Sequence, residues 1–290
     1  MVNYDNKNWM KLLFTFKGSV IKEITPKVLF FTLYSVVIIL ISEYVIKIDI
    51  PSPALAIVGG ALGFMLVFRT NTSYDRYWEG RKLWGELVNQ TRNIAIKVEN
   101  YCLNNSEAGN EIMKLQMAFL HTLKIAIRDE KDFSSVEKYV GKEKIEKITK
   151  YSRPYMVIIA LIAAEILKLK NKKVIDETQY LLLSQNLDYV TNAAGGIERI
   201  RRTPLPIAYT LHLKRVLYIF CLILPFGFKE GFGWGAVPIV TFISYVFLGI
   251  EEIGVEIEDP FGEDANDLPI DEICEALEKN IEEIENIIKN

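Results

Sequence analysis

Two histidines and three cysteines in 290 residues leave little material for the commonest catalytic and metal chemistries. His121 and His212 are too few and too far apart for a metal site or a catalytic dyad. Cys102, Cys221 and Cys274 are odd in number, widely spaced and outside any metal-ligand pattern. They fit a reducing cytoplasm and argue against a disulfide framework. There is no P-loop, no nucleophile elbow and no GxGxxG, so nothing in the motifs points to an enzyme. Internal repeats, low-complexity tracts and a Gly/Ser linker are also lacking, and the chain is expected to form one unit over residues 1–290. The basic and aromatic N-terminal segment has no small-residue cleavage site and does not read as a signal peptide. A net charge of −3 and a pI near 5.7 give no reason to expect nucleic-acid binding.

What is present is segregated. Half of the residues are hydrophobic and 24% are charged, so the two kinds must be separated along the chain. The stretch VLFFTLYSVVIILISEYVIKI from Val28 carries no charge until Glu43, with Lys47 also near its end; Ile50 to Phe68 and Gly231 to Ile250 carry none. A helix needs roughly 20 apolar residues to cross the hydrocarbon core, and each of these qualifies. VLYIFCLILPFGF is shorter and reaches membrane length only with PLPIAYTLHLKR upstream. Lys214 and Arg215 would then face a water-filled interior or snorkel to the interface. Buried core helices of a soluble protein are the alternative, but such helices rarely run this long without charge. The reading is an all-α membrane protein with transmembrane helices at about 28–48, 51–69, 207–228 and 232–250. A helical cytoplasmic region comprises 1–27, 70–206 and 251–290. Four crossings put both termini on one side, with tiny outer loops around Asp49-Ile50-Pro51 and Lys229-Glu230-Gly231. Lys7, Lys11, Lys17, Lys22 and Lys27 precede the first span, and Arg69, Arg76, Arg81 and Lys82 follow the second. That positive-inside bias places the termini and the middle region in the cytoplasm.

Between residues 79 and 200 the pattern changes. Ile112, Leu115, Phe119 and Leu123 recur at helical spacing among polar residues, as in an amphipathic helix facing a core. YMVIIALIAAEILKLK resembles a further span but is interrupted by Glu165, Lys168 and Lys170, so a buried cytoplasmic helix is expected there. Ile273, Leu277, Ile281, Ile284 and Ile288 form an apolar stripe on an acidic helix. It must pack on its own cytoplasmic part or on a neighbouring subunit.

The second span runs without a linker into RTNTSYDRYWEGRKLWGELVNQTRN, which suggests one rod continuing past the membrane surface. Within it, Arg76 and Glu79 are spaced for a salt bridge, and Tyr77, Arg81 and Trp84 for cation-π stacking. An interfacial aromatic belt with snorkelling basic residues is the plainer reading. In the apolar half, Gly60, Phe64 and Phe68 lie four residues apart and share one helical face. Such a stripe can face lipid. If several copies line a symmetric axis, it becomes stacked aromatic rings that gate by dewetting and whose positive edges tolerate anions.

GFMLVFRTNTSYDRYWEGRKLWG, RRTPLPIAYTLHLKR and EIEDPFGEDANDLP, with FKGSV near the N-terminus, together resemble the bestrophin family of ion channels in its bacterial branch. The resemblance spans nearly the whole chain. It implies a homopentamer in the bacterial inner membrane, with four transmembrane helices per subunit and one axial pore lined by the second helix. Carried over by position, the family's membrane neck falls on Gly60, Phe64 and Phe68. Glycine at the first of these departs from the bulky apolar residue of better-known members and leaves two rings of Phe. The cytoplasmic aperture falls on Leu205, which Pro204 and Pro206 would hold in place; burial at a helix start is the alternative role. The calcium clasp of animal members falls on the carboxylates of Asp264 and Asp267 and the backbone carbonyls of Glu256 and Asp259. Ala265 and Asn266 stand where animal members are more acidic, and a turn or helix cap ahead of Asp271 is the rival reading. The function implied is passive conduction of small monovalent ions. Animal relatives conduct chloride, whereas acidic residues lining the cytoplasmic part would favour cations. A non-conducting membrane scaffold that binds a cytoplasmic partner is the alternative. A secondary transporter is disfavoured by the lack of an inverted repeat.

Overall fold

The computed structural model of the protein describes residues 9–44, 50–102 and 106–289. Lys7, Lys47 and Asp49, which bear on the orientation and outer-loop expectations, lie outside them, as do the side chains of Glu43 and Ile288. Among the described residues all regular structure is helical: α1 (Trp9–Leu13), α2 (Ile21–Tyr44), α3 (Ser52–Tyr101), α4 (Ser106–Arg128), α5 (Ser134–Val140), α6 (Lys142–Ile148), α7 (Pro154–Asn171), α8 (Glu177–Arg202), α9 (Ile207–Phe232), α10 (Ala236–Glu256) and α11 (Ile270–Lys289).

The described residues gather into two compact units. The first comprises residues 1–78 and 204–267, the second residues 79–203 and 268–290. Each gathers its own buried residues, and α3 belongs to both, changing at Trp78 and Glu79.

In the first unit α10 packs on α2 and α9. The core holds Ile24, Phe31, Leu55, Leu62, Leu66, Leu213, Leu217, Phe220, Leu224, Val240 and Leu248. Gly227 permits a close approach of α9 and α3, since a Cβ there would stand 2.0 Å from Leu55 Cδ1. Three helical stretches are long and apolar enough to cross a membrane: Ile21–Ser42, Pro53–Tyr101 and Ile207–Glu256. The third is two helices. A 3-10 turn at Gly233–Gly235 separates α9 from α10, with Gly233 at φ +52°, a conformation that favours glycine. Only 22% of the apolar window of each stretch is buried within the chain. Leu33, Ile57 and Phe242 are open to their surroundings at 64%, 75% and 66%. Buried core helices of a soluble domain would be covered; these require lipid or further protein.

The second unit has an ordinary globular interior. Ile112, Leu115, Phe119 and Leu123 are all buried along α4, as their spacing predicts. α7 starts with Pro154 in its first turn, packs on α4 and α8, and buries Ile158, Ile162, Ile166 and Leu169. α8 starts at a capping box in which Asp176 accepts from the Gln179 amide and the Gln179 side chain accepts from that of Asp176. α11 lays Ile270, Cys274, Leu277 and Ile281 inward and packs on α4 of the same chain. Polar ties flank that seam, with Lys124 and Arg128 on Asp271 at 2.8 and 2.7 Å and His121 on Glu278. The acidic helix therefore docks on its own subunit.

Candidate functional site

α3 positions the residues that the sequence singles out. At 1.5 Å per residue its 50 residues extend about 75 Å. Along the apolar half, Leu55, Leu62, Leu66, Arg69 and Ser73 turn into the first unit and are buried. Gly59 faces Phe220, whose ring would stand 3.0 Å from a Cβ at that position. Gly60, Phe64 and Phe68 lie on a face that the first unit does not cover. Phe64 and Phe68 are 71% and 67% exposed, and a Cβ at Gly60 would meet nothing within 4 Å. The structure thus brings the three onto one open face, continued toward the N-terminus by Ile57.

The opposite face fixes that stretch in place. Tyr209 donates its hydroxyl to the backbone carbonyl of Met65 at 2.8 Å, tying α9 to α3 beside Phe64. Within α3 itself, Thr70 and Thr72 donate back to the carbonyls of Leu66 and Phe68 one turn earlier. Lys214, expected to face a polar interior or snorkel, lies 3.4 Å from the buried carboxylate of Glu251 on α10. The charge is matched within the unit, as a buried carboxylate requires.

Leu205 lies in the turn between α8 and α9, half-buried. Its N–H donates to Glu258 Oε1 at 3.1 Å. The structure thus places it in a held turn ahead of α9 and not among the residues of the core. The sequence marks Arg69 only as part of the basic flank of the second span and gives Glu258 no role of its own. Arg69 is the first charge after the apolar run, yet it is 1% exposed and paired with Glu258 at 3.0 Å.

The rod beyond the apolar run makes further contacts within each unit. Arg76 donates Nε to the Glu258 carbonyl at 3.2 Å, and Glu79 lies 3.9 Å from Arg199. Trp84 is completely buried in the second unit, so it is a core residue and not part of an interfacial belt.

The acidic segment after α10 closes on itself. Asp267 is buried, and its Oδ2 accepts the Asp264 N–H at 2.8 Å. Asn266 donates to the Gly18 carbonyl and to Glu256 Oε1, each at 2.9 Å, and Asp259 Oδ1 accepts from the Phe261 amide at 3.4 Å. Burial pushes the Asp267 carboxyl up to about 6, and the charges of Asp264, Asp259 and Glu256 push the same way. Among the described residues no three His, Cys, Asp or Glu side chains group to hold a metal ion. One side-chain oxygen each of Asp259, Asp267 and Glu256 thus accepts a hydrogen bond within the segment, the last from Asn266. The two carboxylates of the expected calcium set, Asp264 and Asp267, lie in one turn ahead of α11, in which Asp267 accepts the Asp264 amide.

Long apolar helices with uncovered faces, together with an aromatic stripe on a helix extending beyond them, define an α-helical membrane protein. The chain belongs to the bestrophin family: residues 1–283 match the family of bacterial and fungal bestrophin proteins. It is 37% identical to a voltage-dependent anion channel-forming protein of Nostoc sp., covering 98% of this chain and 94% of that one. To one from Escherichia coli K12 it is 31% identical, over 96% and 92% of the two chains. Its fold is similar to that of a crystallised bacterial bestrophin homologue from Klebsiella pneumoniae, with a TM-score of 0.86 and 30% identity over 91% of this chain and 98% of that one.

Proposed function

We propose that this protein is a passive ion channel, formed when five copies bring their α3 helices to a common axis. Small monovalent ions cross the bacterial inner membrane through that axis, with both chain termini in the cytoplasm. Phe64 and Phe68 form a hydrophobic neck in which water is unstable until the rings move apart, and Gly60 leaves the outer end wide. Leu205 forms a second constriction on the cytoplasmic side. No covalent step is involved.

The observation that carries the reading is the open face of α3. A helix whose other side is packed on α9 presents two phenylalanines more than two-thirds exposed, directly ahead of a buried arginine. The names of the relatives, as proteins that form anion channels, agree with conduction and favour anions.

Purified protein in liposomes tests this. Wild-type vesicles should release ions without a coupled substrate, and Phe64→Ala with Phe68→Ala should raise the flux severalfold. Unchanged flux in that double variant would place the aromatic face against lipid. A silent wild-type protein would leave a membrane scaffold that binds a cytoplasmic partner. The reversal potential under a potassium chloride gradient separates anion from cation conduction.

A further inference from the structure

Glu258 stands two residues beyond α10, and α3 and the turn ahead of α9 meet on it. Its Oε2 accepts from Arg69 Nη2 at 3.0 Å. Its Oε1 accepts the Leu205 N–H at 3.1 Å, and its backbone carbonyl accepts Arg76 Nε at 3.2 Å. Arg69 also donates from Nη1 to Thr210 Oγ1 on α9 at 3.2 Å. Where Arg69 passes α10 the neighbour is Gly254, and even a Cβ there would stand 3.5 Å from its side chain.

These contacts join two places that are otherwise far apart along the chain. Arg69 follows Phe68 directly and sits on the same rigid helix. Leu205 is flanked by Pro204 and Pro206, which have no N–H, so its amide is the only backbone donor among the three. That donor is spent on Glu258. An arginine buried as deeply as Arg69 requires a counter-charge, which anchors the carboxylate firmly. One side chain is thereby fixed to the helix of the aromatic stripe at one oxygen and to the backbone of the proline turn at the other.

We infer that Glu258 is a positioning residue for conduction, holding Phe68 and Leu205 in a fixed mutual placement so that a shift of α3 displaces the turn. The inference rests on the channel reading above and adds a residue that reaches Leu205 through its backbone amide and α3 through Arg69. Glu258→Ala removes both contacts. Glu258→Gln keeps an oxygen for the Leu205 amide but removes the charge opposite Arg69.

Two measurements on the full-length protein test it. Hydrogen exchange on the segment containing Leu205 should be faster by about tenfold in Glu258→Ala and by less in Glu258→Gln, since a protecting hydrogen bond is lost in the first only. Liposome flux should change severalfold on Glu258→Ala in the wild-type background and less than twofold when Leu205→Ala is already present. An equal flux effect in both backgrounds overturns the inference, because Glu258 would then act elsewhere. Unchanged Leu205 exchange in a variant that conducts differently overturns it too. Should Glu258→Ala fail to fold, Glu258→Gln is judged by the same flux comparison, and no dependence on Leu205 overturns the proposal. If wild-type vesicles are silent while exchange at Leu205 still rises in Glu258→Ala, the tether stands and the channel reading is what has failed.

Discussion

Asp267 is buried in the turn after α10 with a carboxyl that ionises only near pH 6. In an unfolded chain the same group ionises near 3.8. Between those values the unfolded chain has already lost the proton while the folded chain keeps it, so this group contributes stability that is complete below about pH 4 and disappears as pH rises to about 6. Measured against Asp267→Asn, the wild-type melting temperature should fall by roughly 2–4 °C across that window and stay level above it. A difference that is flat from pH 4 to 7 would show the carboxyl to be solvated. If the segment serves only as a turn, calcium at about 1 mM should leave the melting temperature of the wild-type protein unchanged; a rise that grows with calcium concentration would show binding to the folded form through Asp264 and Asp267. The residues of this site divide by what carries their signal. Gly60, Phe64 and Phe68 were readable because helical spacing alone puts them on one face. The pairing of Arg69 with Glu258 spans 189 residues of sequence, and no local pattern reports it. The burial of Asp267 was equally invisible, since a run of acids looks solvated until tertiary packing covers one of them.

At the scale of elements, hydropathy located the membrane segments and periodicity located the packed face of α4. Both are local properties of a helix and survive without knowledge of neighbours. Trp84 shows where this stops. Its spacing from Arg81 suits an interfacial stack, but the second unit needs a large apolar side chain at that point of α3 and takes it into the core. The apolar stripe of α11 could be recognised but not assigned a partner, because its pattern is the same whether it packs on α4 or on another subunit. The contact between α9 and α3 gives a direct test of element packing. Gly227→Ala would drive a methyl group onto Leu55 Cδ1, with the Ile50 carbonyl oxygen 3.4 Å away on another side. It should destabilise the protein by about 1–3 kcal/mol, as overpacking does, visible as a lower melting temperature in detergent. Gly231→Ala, where a Cβ meets nothing within 4 Å, should cost far less.

On the scale of the whole molecule, the uncovered apolar surface and the open face of α3 both call for surroundings that a single chain does not supply. A homopentamer in detergent should have a protein mass of about 167 kDa, five times the 33.3 kDa of one chain, after subtraction of bound detergent by light scattering. A mass of one or two chains would remove the central axis. Cys102, Cys221 and Cys274 are all buried, and burial pushes the Cys102 and Cys274 thiols up to about 11 and about 12. At neutral pH such sulfurs are protonated and shielded, so they react slowly with alkylating reagents. The natural chain is thus already a quiet background for labelling chemistry. A cysteine introduced in place of Phe64 should be modified far faster than the three native thiols by a water-soluble maleimide if it borders an aqueous passage, and should resist that reagent if hydrocarbon surrounds it.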